Sequence, residues 1–211
     1  MNIAATTRIT APERRPARER LLAAADELFY EGGIHTVGIE RVIERAGVAK
    51  ASLYDCFGSK DELIRAYLQA RHEARKVRIA ATLARHAEPR QRLLGIFDAL
   101  DELFAKPSYR GCPFMRAGAE SATGSVVKST CEDARGWMRE LFVGLARDAG
   151  ASDPTHLARE LMLVYDGAAV SAVLDGPDAA AAARTAAALL LDAATVPRQA
   201  ARTTPRRRTP R

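Results

Sequence analysis

The 211-residue chain has few of the residues that build disulfide scaffolds, metal sites or β-sheets. Its three cysteines include no close pair, and its four histidines show no metal-ligand spacing. Neither a glycine-rich phosphate loop nor a nucleophile elbow occurs. Alternating apolar and polar runs are absent, whereas alanine and leucine are abundant, so the composition predicts an all-α protein. We therefore expect neither an enzyme nor a metal site or cofactor.

Long uninterrupted hydrophobic runs are absent as well. Residues 1–20 have no apolar core of the kind that a signal peptide contains, and Asp166, Arg184 and Asp192 interrupt the most apolar stretches. We therefore expect no membrane partner. An odd number of cysteines without close pairs favours a reducing compartment, which predicts a cytoplasmic protein.

The net charge of +6 comes from one end of the chain. Residues 197–211 hold six arginines and no acid, whereas residues 1–66 hold ten basic and ten acidic side chains. We interpret the basic tail as a disordered, solubilising end, with an arm that clamps DNA as the alternative. Residues 1–17 are predicted to be disordered too.

Residues 39–60 carry the most informative pattern in the chain. Apolar residues at helical spacing lead to Gly47, which can end a helix in the left-handed conformation. A second short helix follows from Lys50, with Leu53 and Phe57 on its inner face. Two short helices joined by a tight, glycine-containing turn predict a helix-turn-helix.

The wording "AGVAKASLYDCFGSKDEL" resembles the signature of the TetR family of bacterial transcriptional regulators, over about residues 18–68. The resemblance implies a three-helix DNA-binding domain followed by a helical domain for ligand binding and dimerisation, with about nine helices in all. Four positions depart from the family pattern: Ile43 and Ala51, where alanine and often glycine are usual, and Ala49 and Cys56. Ala49 stands where a serine usually caps the recognition helix, and Cys56 where a histidine or tyrosine can touch a phosphate.

The recognition helix is expected to enter the major groove with its N-terminal end first. Lys50 and Ser52 can donate to base edges or phosphates, and the resemblance gives Tyr54 a phosphate contact. The resemblance also makes Thr36 a helix cap that reaches a phosphate. The residues predicted to contact DNA are Thr36, Arg41, Lys50, Ala51, Ser52, Tyr54, Ser59 and Lys60.

Ser59 and Glu62 form a predicted capping box at the start of a long helix that runs to about residue 86. The charged middle of this helix is interpreted as a solvated face. The predicted division of the chain is a disordered arm over 1–17, a DNA-binding domain over 18–66, a ligand-binding and dimerisation domain over 67–196 and a basic tail over 197–211. The last two helices are apolar around their circumference, which predicts a four-helix interface with a second copy.

The segment "RGCPFMRAGAE" resembles a part of many family members that borders the effector pocket. Candidate pocket walls predict an apolar or aromatic effector, although each residue could equally be ordinary core. These walls are Phe97, Leu100, Phe104, Cys112, Phe114, Met115, Trp137, Leu141 and Tyr165.

Together these features predict a homodimeric, ligand-responsive repressor that binds a palindromic double-stranded DNA operator. Release by a small-molecule effector would be a population shift between two states. A redox sensor built on Cys112 and Cys131 is the alternative, since Arg110 could favour a thiolate. An all-helical small-molecule enzyme is a remote alternative, and activation instead of repression stays open.

Overall fold

The computed structural model describes residues 15–195, which form nine α-helices and, within that range, no β-strand. The predicted all-α class is therefore confirmed. The helices are α1 (Ala17–Gly32), α2 (Ile39–Ala46), α3 (Lys50–Phe57), α4 (Lys60–Leu83), α5 (Pro89–Phe104), α6 (Pro113–Glu120), α7 (Val126–Asp148), α8 (Pro154–Leu174) and α9 (Ala179–Thr195). The predicted arm over 1–17 lies largely outside the described residues, and the tail over 197–211 lies wholly outside them.

The described chain divides into two compact units. The first unit comprises residues 15–71 and 113–131, and the second comprises residues 72–112 and 132–195. The predicted ligand-binding domain over 67–196 includes residues 113–131, which pack with the first unit in the structure. The reason lies in contacts that α6 makes with the last turn of α1. The Arg116 guanidinium donates to the Tyr30 carbonyl at 2.8 Å.

The core of the first unit forms where α1 packs on α2 and α3. Leu21, Ala25 and Phe29 lie on one face of α1 at helical spacing, and all three are buried. Val42 from α2 and Leu53 from α3 are fully buried on the other side of this contact. A three-helix arrangement of this kind buries one face of each short helix and leaves the opposite face to solvent.

The second unit is built around α5, which is buried along most of its length. Pro89 at the first helical position suits the start of α5, because its fixed φ favours a helix there and its missing N–H is not needed. α8 and α9 pack on α5 and on each other. Two ion pairs join α9 to α5, Arg90 with Asp192 and Arg184 with Asp98.

Among residues 15–195, no helix combines the length and apolar character needed to cross a membrane.

Candidate nucleic-acid interface

α3 has a buried side and a solvent-exposed side. Leu53 is fully buried, and Ser52 is half-buried. Lys50 and Ala51 are exposed, and Tyr54 keeps 44% of its surface accessible. The outer side is about two turns long and carries small or polar side chains, which is the size and chemistry that a major groove admits.

Arg20 from α1 fixes the turn between α2 and α3. Its Nη1 donates to the carbonyls of Ala46 at 3.1 Å and Gly47 at 2.9 Å. These carbonyls end α2, where the helix dipole and unsatisfied carbonyl groups favour a cation. Gly47 has φ 61° and ψ 45°, the left-handed conformation in which glycine pays no side-chain penalty. The predicted helix-turn-helix is confirmed at this turn.

α1 also holds both helices of the motif from outside. Arg45 of α2 forms a bidentate ion pair with Glu27 of α1, with nitrogen-to-oxygen distances of 2.8–3.2 Å. The Arg18 guanidinium lies 5.1 Å from the centre of the Phe57 ring at the end of α3. The outer face of α3 is therefore presented by a braced three-helix scaffold.

Thr36 does not cap α2, contrary to the expected role. α2 begins at Ile39, its N-cap is Gly38, and no side-chain hydrogen bond caps it. A capping side chain reaches the N–H groups two or three residues further on, and Thr36 lies two residues before the N-cap. Thr36 is exposed. Its phosphate contact stays a prediction.

The N-terminus of α3 also lacks a side-chain cap, because Ala49 occupies the N-cap position with φ −73° and ψ 151°. This extended backbone suits a serine whose hydroxyl would accept from an N–H of the first turn. We expect Ala49→Ser to raise the free energy of unfolding by about 1 kcal/mol. Urea unfolding followed by circular dichroism measures the change. The matched control is Ala51→Ser, two residues further along the same helix. Equal gains in the free energy of unfolding of both variants would contradict a capping effect.

The capping box predicted at α4 is only half formed. Ser59 Oγ accepts a hydrogen bond from the Glu62 N–H at 3.1 Å, as a cap should. The Glu62 carboxylate does not complete the reciprocal arrangement but binds Arg65, one turn later, at 2.6 Å. A charge-assisted bond to a neighbouring guanidinium is stronger than one to a backbone N–H, which explains the exchange. Ser59 and Lys60 both stay half-buried at this helix start.

Glu40 places a negative charge beside the predicted DNA contacts. The sequence pattern had not indicated this charge. Its Oε1 lies 3.5 Å from Lys50 Nζ, and both side chains are exposed. A hydrogen bond from its own backbone N–H, together with Lys50 and Lys60, lowers the pKa of the Glu40 carboxyl. A phosphate that binds Lys50 must therefore compete with this carboxylate. The neighbouring Arg41 is exposed on α2.

α6 contacts the loop that precedes α2. In addition to the Arg116 contact, the His35 ring lies 3.1 Å from the Glu120 carbonyl, measured from Nε2. His35 is exposed, although its ring makes this contact. These partners are separated by 85 residues. A local pattern contains no signal that could have identified them.

The nine predicted pocket walls do not fall in one unit. Phe114 and Met115 belong to the first unit, and the other seven belong to the second. Phe97, Leu100 and Phe104 are buried in the core of the second unit. Cys112, Trp137, Leu141 and Tyr165 are partly buried against that core.

The aromatic side chains of the second unit form a connected cluster. The Phe97 ring centre lies 6.0 Å from that of Phe142 and 6.3 Å from that of Tyr165. The Phe142 and Tyr165 centres are 5.9 Å apart in an edge-to-face arrangement. Burial raises the pKa of the Tyr165 hydroxyl, so this group stays protonated at neutral pH.

The charged middle of α4 is not uniformly solvated, which corrects the prediction for this helix. Arg75 is only 8% exposed, and its guanidinium donates to the Ala134 carbonyl at 2.7 Å. Arg71, also in α4, binds Asp26 and lies 4.0 Å from the Tyr30 ring centre. Both arginines find partners far along the chain, which explains why the periodicity of α4 did not reveal them. Across residues 15–195, no three His, Cys, Asp or Glu side chains are grouped as a metal site would require.

Comparison with known proteins gives consistent results. The profile of the family described as "Bacterial regulatory proteins, tetR family" matches residues 21–67. A TetR-type transcriptional regulator from Streptomyces avermitilis, known from its crystal structure, is 33% identical and superposes with a TM-score of 0.77 over 85% of this chain and 98% of that one. A TetR-family regulator from Streptomyces coelicolor is 28% identical, with a TM-score of 0.80 over 85% and 96% of the two chains.

A curated relative extends the similarity beyond the first four helices. The HTH-type transcriptional activator FasR of Mycolicibacterium smegmatis is 31% identical over 151 residues. This alignment covers 69% of the present chain and 65% of FasR, so the match spans just under two thirds of that relative. The similarity in sequence and in fold shows that this chain is a transcriptional regulator and belongs to the TetR family.

Proposed function

We propose that two copies of this chain bind a palindromic DNA operator as a repressor and release it when a small-molecule effector binds the second unit. The observation that carries the proposal is the outer face of α3, which exposes Lys50, Ala51 and Tyr54 on a braced scaffold. The first unit is not basic by count, because acids and bases balance over residues 1–66. Its DNA affinity must therefore come from the placement of individual lysines and helix N-termini.

An apolar stripe on α8 supports the dimer. Leu163, Val170 and Leu174 are exposed at spacings of seven and four residues, which places them on one face of the helix. Leu189 of α9, which packs beside α8, is exposed as well. An exposed row of large apolar side chains is unusual for a monomer and fits a self-complementary interface. A dimer would also place two α3 helices on half-sites about 34–36 Å apart.

Activation is a second candidate for the direction of regulation, because the relative FasR is described as an activator. The position of the bound DNA site relative to the promoter distinguishes repression from activation. A site that overlaps the promoter and lowers transcription of a reporter supports repression. A site upstream of the promoter that raises transcription supports activation.

The proposal is tested by the binding of DNA fragments selected from the genome, with fluorescence anisotropy at two salt concentrations. We expect Tyr54→Ala to weaken binding by about 100-fold, because each protomer loses a phosphate hydrogen bond worth about 1.5 kcal/mol. Tyr54→Phe should weaken binding similarly if the hydroxyl makes the contact. Binding of the wild type should fall with salt.

Lys106→Ala is the matched control, because Lys106 is exposed in the second unit and outside the proposed interface. Its affinity should equal that of the wild type. Wild-type affinity in Tyr54→Ala, or selection of no specific fragment by the folded protein, would contradict the proposed interface.

A further inference from the structure

Glu40 is an acidic side chain placed among the side chains predicted to contact DNA. It lies in the first turn of α2, and its side chain is 72% exposed. Its Oε1 lies 3.5 Å from Nζ of Lys50, which is 61% exposed at the start of α3. Lys60, at the start of α4, is within electrostatic range of the same carboxylate. Because DNA is a polyanion, a negative charge on this face disfavours any phosphate that approaches it.

The Glu40 carboxylate is held at the N-terminus of α2. It accepts a hydrogen bond from its own backbone N–H, which is the main reason why the pKa of this carboxyl is lowered. The helix dipole favours negative charge at this end, and the N-cap Gly38 has no side chain that could supply a cap. Phosphate groups are attracted to helix N-termini for the same reasons. The carboxylate therefore occupies a place that would otherwise suit a DNA phosphate.

Several arginines of the first unit are engaged within that unit. Arg45 binds Glu27 at 2.8 Å, and Arg71 binds Asp26 at 2.5 Å. The chain has two lysines between residues 1 and 71, and both belong to the predicted DNA contacts. Glu40 lowers the positive potential at both of these lysines. Its charge therefore acts on side chains whose role is to meet DNA.

The pair between Glu40 and Lys50 is looser than these arginine pairs. Its 3.5 Å separation is at the outer limit of a hydrogen bond, and both side chains are exposed to water and salt. A lysine ammonium has three N–H donors, so Lys50 can keep one donor on the carboxylate while another binds DNA. The pair therefore restrains the direction of Lys50 without blocking the outer face of α3.

Base edges and phosphates respond differently to the Glu40 charge. The acceptor atoms of a guanine edge are uncharged, so Lys50 can bind them with Glu40 still beside it. A phosphate carries a negative charge and is repelled by the same carboxylate. Nonspecific binding depends on phosphate contacts, whereas specific binding adds base contacts. Glu40 therefore weakens nonspecific complexes more than specific ones.

We propose that Glu40 is a specificity-determining residue, which holds Lys50 toward base edges and penalises contacts of Lys50 with phosphates. The inference rests on the proposed DNA interface and adds a positioning residue that acts through Lys50. A general effect of net charge is the competing explanation, because every exposed acid in the first unit repels DNA to some degree. A net-charge effect does not require Lys50 and acts equally on specific and nonspecific complexes.

The test compares the full-length protein on two duplexes of equal length and base composition, the selected operator fragment and a scrambled sequence, by fluorescence anisotropy at several salt concentrations. We expect Glu40→Gln to bind the scrambled duplex about fivefold more tightly and the operator within about twofold of the wild type. Release of one Lys50 to a phosphate in each protomer should steepen the log–log salt slope on the scrambled duplex by about 1.8, since each neutralised phosphate contributes about 0.9. Unchanged affinity for the scrambled duplex, or an equal gain on both duplexes, would overturn the proposal.

Two further comparisons assign the effect to Lys50, with circular dichroism to show that each variant is folded. Glu44→Gln removes an exposed acid one turn further along α2 and should raise affinity for the scrambled duplex by less than about twofold. In a Lys50→Met background, Glu40→Gln should have no further effect on this affinity. An equal gain in Glu44→Gln, or an undiminished gain in the Lys50→Met background, would overturn the assignment. Operator binding by the wild type tests the proposed function separately, and the scrambled-duplex measurements test the restraint of Lys50 without an operator.

Discussion

Replacing Leu163 by glutamate is expected to make the protein monomeric and to abolish operator binding. Leu163 is 72% exposed on α8, so the substitution costs the isolated chain little. In the proposed dimer the same position is covered by the partner. Two glutamates, one from each copy, would then lose water without a compensating cation, at a cost of several kcal/mol each.

Sedimentation equilibrium or light scattering measures the effect, with circular dichroism to show that the helices remain. The matched control is Val77→Glu, because Val77 is 69% exposed on α4 and outside the stripe of α8 and α9. We expect Val77→Glu to stay dimeric and to bind DNA. A dimeric Leu163→Glu at micromolar concentration would show that α8 does not form the interface.

The loss of DNA binding follows from geometry and avidity, since a monomer holds only one half-site. Linking two binding modules can raise affinity by about 10²–10⁴ without any new contact. Loss of the dimer should therefore remove specific binding even though α3 is unchanged. Operator binding by a monomeric Leu163→Glu would contradict the proposed palindrome and leave the family assignment untouched.

Local signals explain why the sequence predicted the helices so closely. α3 begins after Ala49 and ends before Gly58, in agreement with the short helix predicted to follow from Lys50. Gly58 adopts φ 76°, where other residues would be strained. The start of α8 was equally readable, because Asp153 caps it through the His156 N–H at 2.9 Å and Pro154 occupies the first position. Caps, glycines and prolines act within a few residues.

Hydrogen bonds and ion pairs between residues far apart in the sequence were not predictable. Arg75 lies in a charged stretch of α4 that reads as a solvated helix face, but its acceptor at Ala134 lies 59 residues away. Glu62 fits a capping box, yet Arg65 takes its carboxylate. Arg116 joins α6 to Tyr30, which lies 86 residues away. A single sequence gives the period of each helix but not which charged side chain on it will be covered.

The candidate DNA-binding site likewise has features that the sequence predicts and features that it does not. The exposure of Lys50 and Ala51 followed from helical spacing alone, because Leu53 fixes the inner face of α3. The ion pair between Glu40 and Lys50 joins two helices across the turn, and its formation depends on the angle between them. The contacts that tune DNA affinity are therefore harder to predict from the sequence than the helix face on which they lie.

Phe97→Ala is expected to reduce the stability of the second unit by about 3–5 kcal/mol. Phe97 is fully buried, and its ring contacts those of Phe142 and Tyr165. Removing the ring loses both the transfer free energy and the aromatic contacts, and the surrounding helices can close the cavity only in part. Urea unfolding followed by Trp137 fluorescence should show a midpoint lower by roughly 2 M, given a typical slope of about 2 kcal/mol/M.

The size of this effect also decides between two interpretations of Phe97, which was predicted as a pocket wall. A side chain packed on all sides should cost the full amount, whereas one that borders an open pocket leaves a smaller new void and should cost less. Val77→Ala is the control for an exposed position and should change stability by less than about 0.5 kcal/mol. A Phe97→Ala cost near 1 kcal/mol, at matched protein concentration, would contradict the fully packed core. It would favour a ligand cavity beside Tyr165.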